Sequence, residues 1–247
     1  MYRIIGDIHG RTAWKGLVDP YYVNVFVGDY FDPYADISFE DLKENFLKII
    51  QFKDAFPDKV VLLLGNHDLH YWWHTGKSDT SRFMHEHSQE IHDLFMEHKD
   101  KFQIAYSIEN KVIVTHAGVS KPWYNTRIGI DPILQPDELA SNINDMFKHD
   151  RQNCFSFSSN CNYGDYYGNS PQQSCVWIRP ESLYYNNLYE DSDVIQVVGH
   201  TQMKKVGCDS EKKLYFIDCL GTNPQCLVVN KDEDGNFQLY DESAGNH

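Results

Sequence analysis

The sequence predicts an α/β fold. Three observations carry that expectation. Short apolar runs alternate with helix-length amphipathic stretches from Tyr2 to Thr115, each run passes directly into a turn containing Gly, His or Asp, and further β-type runs dominate the second half. The runs Tyr2–Ile5, Val23–Val27, Val60–Leu64 and Val112–Thr115 are rich in Val, Ile and Leu, the pattern of strands buried on both faces. Ser38–Phe56 opens with Ser and acidic residues and then places Leu42, Phe46, Ile49, Ile50 and Lys53 at helical spacing, so it reads as a capped amphipathic helix. Asp79–Lys99 is a second helical stretch. Strand, loop, helix, strand in this order gathers loops at the strand C-terminal ends, where ligands bind in α/β proteins.

Arg151–Ser174 breaks the pattern. It is rich in Asn, Ser, Tyr, Gln and Gly without periodicity and reads as a polar loop or insertion. β-type runs follow at Val194–Val198, Leu214–Ile217, Cys226–Val229 and Phe237–Tyr240, with Asp232-Glu233-Asp234-Gly235-Asn236 as a hairpin turn between the last two. The expectation for this half is mostly antiparallel strands. With no internal repeat and no linker, the chain reads as one domain over residues 1–247.

Composition narrows the function classes. Among 247 residues, 36 are acidic and 22 basic, a formal charge of −14, which repels phosphate backbones and argues against non-specific nucleic-acid or anionic-membrane binding. Apolar residues at 41% and aromatics at 14% are sufficient for a packed core. No apolar run approaches the roughly 18–20 residues that span a bilayer, and the start Met1-Tyr2-Arg3-Ile4-Ile5-Gly6-Asp7 turns polar too early for a signal peptide. A soluble cytoplasmic protein is expected. The cysteines at 154, 161, 175, 208, 219 and 226 form no CxxC pair and read as reduced structural thiols.

The early strands each end in metal-compatible groups: Gly6-Asp7-Ile8-His9-Gly10, Gly28-Asp29-Tyr30-Phe31-Asp32 and Gly65-Asn66-His67-Asp68. Later ones end in Thr115-His116-Ala117-Gly118 and Gly199-His200-Thr201. In Asp7-x-His9 both side chains project the same way from an extended segment. A carboxylate beside an imidazole suits a divalent first-row ion such as Mn, Fe, Zn, Co or Ni. A lone Gly-Asp would be only a turn, but five clusters at five strand ends point to a metal site.

This ordered set resembles the motifs of the calcineurin-like metallophosphoesterases, and within them the branch of Ser/Thr phosphoprotein phosphatases, bacterial and phage protein phosphatases, and symmetrical dinucleoside tetraphosphatases. The resemblance implies a four-layer α/β/β/α sandwich with a dinuclear metal site, manganese being the favoured ion, at the strand C-terminal ends. It implies that Asp7 and His9 bind the first metal, that Asp29 bridges both, and that Asn66, His116 and His200 complete the second. Two cations so held would turn a water into the nucleophile. His67 matches the family's general acid and Asp32 the carboxylate that orients it. Trp177-Ile178-Arg179 looks like the segment that supplies a substrate-binding arginine, here Arg179.

One position departs from the family. The phosphoprotein phosphatases carry an arginine after the second aspartate of Gly-Asp-x-x-Asp, whereas Asp32 is followed by Pro33 and Tyr34. The remaining arginines are Arg3, Arg11, Arg82, Arg127 and Arg151; Arg127 and Arg151 are candidate substitutes that nothing in the sequence places near the site. The expected activity is hydrolysis of phosphate monoesters in the manner of a phosphoprotein phosphatase, on a phosphopeptide, nucleotide or small phosphoester. A dinucleoside tetraphosphate hydrolase is the first alternative and a non-catalytic interaction module on the same fold the second. The loop at 151–174 is expected to wall the substrate, by stacking on a base or cradling a peptide.

Overall fold

The computed structural model describes residues 1–74, 82–149, 152–157 and 167–245. Its strands are β1 (Tyr2–Ile5), β2 (Val23–Phe26), β3 (Val60–Leu63), β4 (Phe102–Gln103), β5 (Ala105–Ile108), β6 (Val112–Thr115), β7 (Ile195–Val198), β8 (Gly207–Asp209), β9 (Leu214–Phe216), β10 (Gln225–Lys231) and β11 (Phe237–Ser243). The helices are α1 (Phe39–Ala55), α2 (Asn66–Trp72), α3 (Ser88–Glu97), α4 (Lys121–Arg127), α5 (Pro136–Lys148), α6 (Gln152–Phe155) and α7 (Pro180–Tyr185). The chain is mixed α/β, with two sheets that each carry helices. It divides into two compact units, one of Met1–Phe102 with Gln202–Val206 and Ile217–His247, the other of Gln103–Thr201 with Gly207–Phe216.

The first unit is built on a sheet of order β11-β10-β1-β2-β3-β4. β1, β2 and β3 are parallel neighbours, so all three end at the same sheet edge. β10 closes antiparallel on β1, and β11 on β10 through the predicted hairpin, where Asp232 N–H donates to Asn236 O at 3.0 Å. α1 starts at its expected cap, with Asp41 N–H donating to Ser38 Oγ at 3.1 Å. It buries Leu42, Phe46, Ile49 and Ile50. Lys53 has a different task from its place on that stripe: its ammonium donates to the carbonyls of Pro57 and Val60, both at 2.7 Å, holding the turn that leads into β3.

The helix expected over Asp79–Lys99 is shorter. Residues 75–81 lie outside the described residues, Arg82 has left-handed backbone (φ 73°), a 3₁₀ turn occupies His85–His87, and α3 begins only at Ser88. A left-handed residue cannot sit inside a right-handed helix, so the element starts beyond it.

The second unit carries the sheet β5-β6-β7-β9-β8. Its edge pairs are antiparallel, while β6–β7 and β7–β9 are parallel. With β1–β10 and β10–β11 also antiparallel, the strands of the second half pair mostly antiparallel as expected, and β7 is the exception. The parallel pairing brings the ends of β6 and β7 to one edge. Gln196 on β7 is fully buried and ties that edge together: it accepts from Val119 N–H at 2.8 Å and donates to Val119 O at 2.9 Å and Asn187 Oδ1 at 2.6 Å. The segment expected as a polar loop at 151–174 contains the helical turn α6, while residues 158–166, including Cys161, lie outside the described residues. The five described cysteines are free thiols.

Candidate metal centre

Each loop at the edge of the first sheet is fixed by its own buried residues. After β2, Tyr30 and Phe31 stand between Asp29 and Asp32 and are buried against Phe46 and Phe95, with the Tyr30 hydroxyl donating to Leu63 O at 2.9 Å. The two apolar residues anchor the turn; the two flanking aspartates face the other way. The β1 loop zips onto it through His9 N–H to Asp29 O (2.6 Å) and Gly10 N–H to Tyr30 O (3.0 Å). Asp68 binds the β2 and β3 loops, accepting from the N–H groups of Asp29 (2.7 Å), Tyr30 (2.9 Å) and Gly65 (2.8 Å). His9, Asp29 and Asp32 all have positive φ (43°, 54° and 57°), a sparsely populated conformation that recurs at functional sites.

This scaffold brings Asp7, His9 and Asp29 together. All three are buried, and one donor atom from each lies within 4.8 Å of the others. His9 Nδ1 lies 2.9 Å from Phe31 O and 3.0 Å from Asp32 O, two atoms that only accept, so Nδ1 carries the proton and Nε2 the lone pair. Nε2 faces Asp29 Oδ2 at 3.5 Å. Burial outweighs the attraction of Asp29 and pushes the His9 pKa down to about 3, keeping the ring neutral. A neutral imidazole aimed by a backbone carbonyl, beside two carboxylates, is the donor set of a divalent metal. The residues fit one.

Asn66 opens α2 and His67 follows it as the helix's second residue, and both are buried at the same edge. The His67 N–H donates to Asp29 Oδ1 at 2.9 Å, and its Nδ1 meets Asp32 Oδ2 at 2.6 Å. The other oxygen of Asp32 accepts from the Tyr71 hydroxyl, which itself accepts from Met84 N–H at 2.8 Å. Burial disfavours the imidazolium of His67, but the carboxylates of Asp29 and Asp32 overcome it and raise its pKa. Burial also raises Asp32, against the pull of His67 and Tyr71. Tyr71 was not singled out from the sequence. The signal was its position four residues after His67, which puts both on one helix face.

In the second unit His116 follows β6 and His200 follows β7, and their rings lie 5.1 Å apart. His200 Nε2 is 2.9 Å from Trp177 O, which assigns the proton to Nε2 and the lone pair to Nδ1. Arg179 lies beside this loop, donating from its guanidinium to His200 O (3.3 Å), Thr201 Oγ1 (3.0 Å) and Tyr167 O (2.8 Å). Arg127 is exposed in the last turn of α4, and Arg151 lies outside the described residues.

Two sheets with flanking helices and a buried Asp-His-Asp donor set define an α/β protein with a candidate metal centre. A family model for calcineurin-like phosphoesterases matches residues 3–215, and the chain belongs to that family. It is a hydrolase acting on phosphoesters. Among solved structures it is similar to a cold-active protein-tyrosine phosphatase of a psychrophilic Shewanella species, at 17% identity over 96% of this chain and 79% of that one, with a TM-score of 0.59. It is also similar to a protein serine/threonine phosphatase from Saccharomyces cerevisiae with similarity to human phosphatase PP5, at 18% identity over 100% of this chain and 80% of that one, with a TM-score of 0.54. At such identities the likeness is one of fold. A comparison with curated proteins gave no match. No described helix is long and apolar enough to cross a membrane.

Proposed function

We infer that the chain is a dinuclear metallophosphatase acting on phosphate monoesters in the manner of the phosphoprotein phosphatases. Asp7, His9 and Asp29 would hold one divalent ion, and Asp29 with Asn66, His116 and His200 would hold a second, with manganese the favoured metal. Such ions, when bound, supply an activated water near neutral pH and offset charge on the phosphoryl oxygens. The chain's own residues do the rest. His67 delivers a proton from Nε2 to the leaving oxygen, since Nδ1 is committed to Asp32. Asp32 and Tyr71 hold the ring and favour its charged form. Arg179 receives the substrate's phosphoryl group. The one family model running through both compact units supports their acting as a single functional domain.

The observation that carries this reading is the His67–Asp32 contact of 2.6 Å beside the Asp7, His9 and Asp29 donor set. Its test is a comparison of kcat/KM on a phosphoserine peptide and on diadenosine tetraphosphate, with Mn²⁺ supplied. The phosphopeptide is expected to be the better substrate, and His67→Gln to lower its turnover about 100-fold or more. Turnover of the dinucleotide alone would replace the monoesterase reading with the tetraphosphatase one. Hydrolysis of neither would leave the non-catalytic module.

A further inference from the structure

Asp32 is followed by Pro33, which offers no cation, yet an arginine stands close by. Tyr34 is half exposed and meets the metal-ligand candidate His9 edge-on, with ring centroids 4.9 Å apart and planes at 90°. The guanidinium carbon of Arg82 lies 3.7 Å from the Tyr34 ring centroid, and that of Arg11 lies 5.2 Å from it. Two arginines therefore converge on one aromatic ring that itself rests on the donor set.

The two differ in what they have left to offer. Arg11 is committed: it donates to Asp7 O at 3.1 Å and lies 3.8 Å from Asp218 Oδ1. Arg82 is exposed, and among the described residues its guanidinium has the Tyr34 ring as its contact, with no hydrogen bond or ion pair to a carboxylate or carbonyl. An arginine held through its flat face keeps its N–H edge for a bidentate oxygen partner. Finally, the left-handed backbone at Arg82 (φ 73°) is a conformation that L-residues seldom adopt without a local demand.

We propose that Arg82, positioned by the Tyr34 ring, is a second substrate-phosphate clamp in addition to Arg179, supplying the cation that Pro33 does not. The proposal rests on the phosphatase reading above and names the group that receives the phosphoryl oxygens beside the His67 side of the site. Arg82 touches substrate; Tyr34 is a positioning residue.

The test uses the full chain loaded with Mn²⁺, with p-nitrophenyl phosphate as substrate and inorganic phosphate as competitive inhibitor. Arg82→Ala is expected to raise KM and the inhibition constant of phosphate together by about 10–100-fold, the loss of a charge-assisted bidentate contact, with unchanged metal content and thermal midpoint. Arg82→Lys, which keeps charge but not the fork, recovers part of the loss, and it serves as the second variant should Arg82→Ala fold poorly. Tyr34→Leu is expected to weaken phosphate binding in the same direction, and Tyr34→Phe, which keeps the ring, to restore most of it. An active wild type whose phosphate inhibition is indifferent to Arg82→Ala and Arg82→Lys overturns the clamp alone. A metal-loaded wild type that hydrolyses no phosphoester overturns the phosphatase reading, and the clamp with it.

Discussion

Two donors meet on the single carboxylate of Asp32: His67 on one oxygen and the Tyr71 hydroxyl on the other. The arrangement fixes the ring's orientation and, with Asp29, raises the His67 pKa. The sign of a substitution follows. Asp32→Asn keeps the shape but removes a negative charge that favours the imidazolium, so the His67 pKa falls. As the proposed general acid, His67 then loses its proton at lower pH, and the alkaline limb of the kcat–pH profile is expected to move toward acid. The drop in kcat is expected to be larger for an alkyl phosphate, whose leaving group needs the proton, than for p-nitrophenyl phosphate, whose leaving group does not. A parallel set of pH profiles on the two esters checks both the direction and the difference. At this scale much was legible in the sequence. Asp7, His9, Asp29, Asp32 and His67 stood out because they follow apolar runs directly. Tyr71 and Tyr34 did not, since an aromatic residue in an apolar sequence is indistinguishable from core until its hydroxyl or its ring is seen against a partner. Arg82 was visible only as one arginine among several, because what gives it meaning is a stack across sequence-distant segments.

The elements do their work through close approach at the sheet edge. Gly28 has φ 108°, and a Cβ there would lie 2.2 Å from the Gly65 backbone nitrogen. The β2 and β3 loops pack main chain against main chain at this point, and Asp68 bonds to both. Gly28→Ala is accordingly expected to cost about 3 kcal/mol or more, combining an unfavourable backbone conformation with a clash that flexible atoms cannot absorb. Urea unfolding of the variant measures it, and a loss under about 1 kcal/mol would show that the loops can part freely. Strand ends and the start of α1 were readable because a continuous apolar run and a Ser cap are local signals. The choice between parallel and antiparallel neighbours in the second sheet was not, because pairing is decided by contacts distant in sequence. α4 and α5 went unread although they carry local cues: Pro122 in the first turn after the Ser120 cap, and Pro136 followed by Glu138 reaching back to Gln135. α3 starts late for a reason no amphipathic pattern contains, the left-handed residue at Arg82.

Over the whole molecule, a chain with formal charge −14 buries Asp7, Asp29, Asp32 and Asp68 in its first hundred residues. Buried carboxylates are stable only when their charge is answered. Asp68 accepts from three backbone N–H groups, Asp32 from His67 and Tyr71, and Asp29 from the His67 N–H. Asp7 and Asp29 also flank the neutral imidazole of His9, a donor set suited to a divalent cation. Within each unit, the parallel strands β1, β2 and β3, and likewise β6 and β7, deliver their C-terminal ends to one edge of their own sheet whatever the distance between them in sequence. Metal uptake by these side chains is therefore what the phosphatase reading depends on most. Calorimetric titration of the metal-free protein with Mn²⁺, checked by elemental analysis, is expected to give about two ions per chain, with Asp29→Asn sharply weakened while its fold is retained. A wild-type protein that stays folded and takes up no divalent metal would contradict the claim.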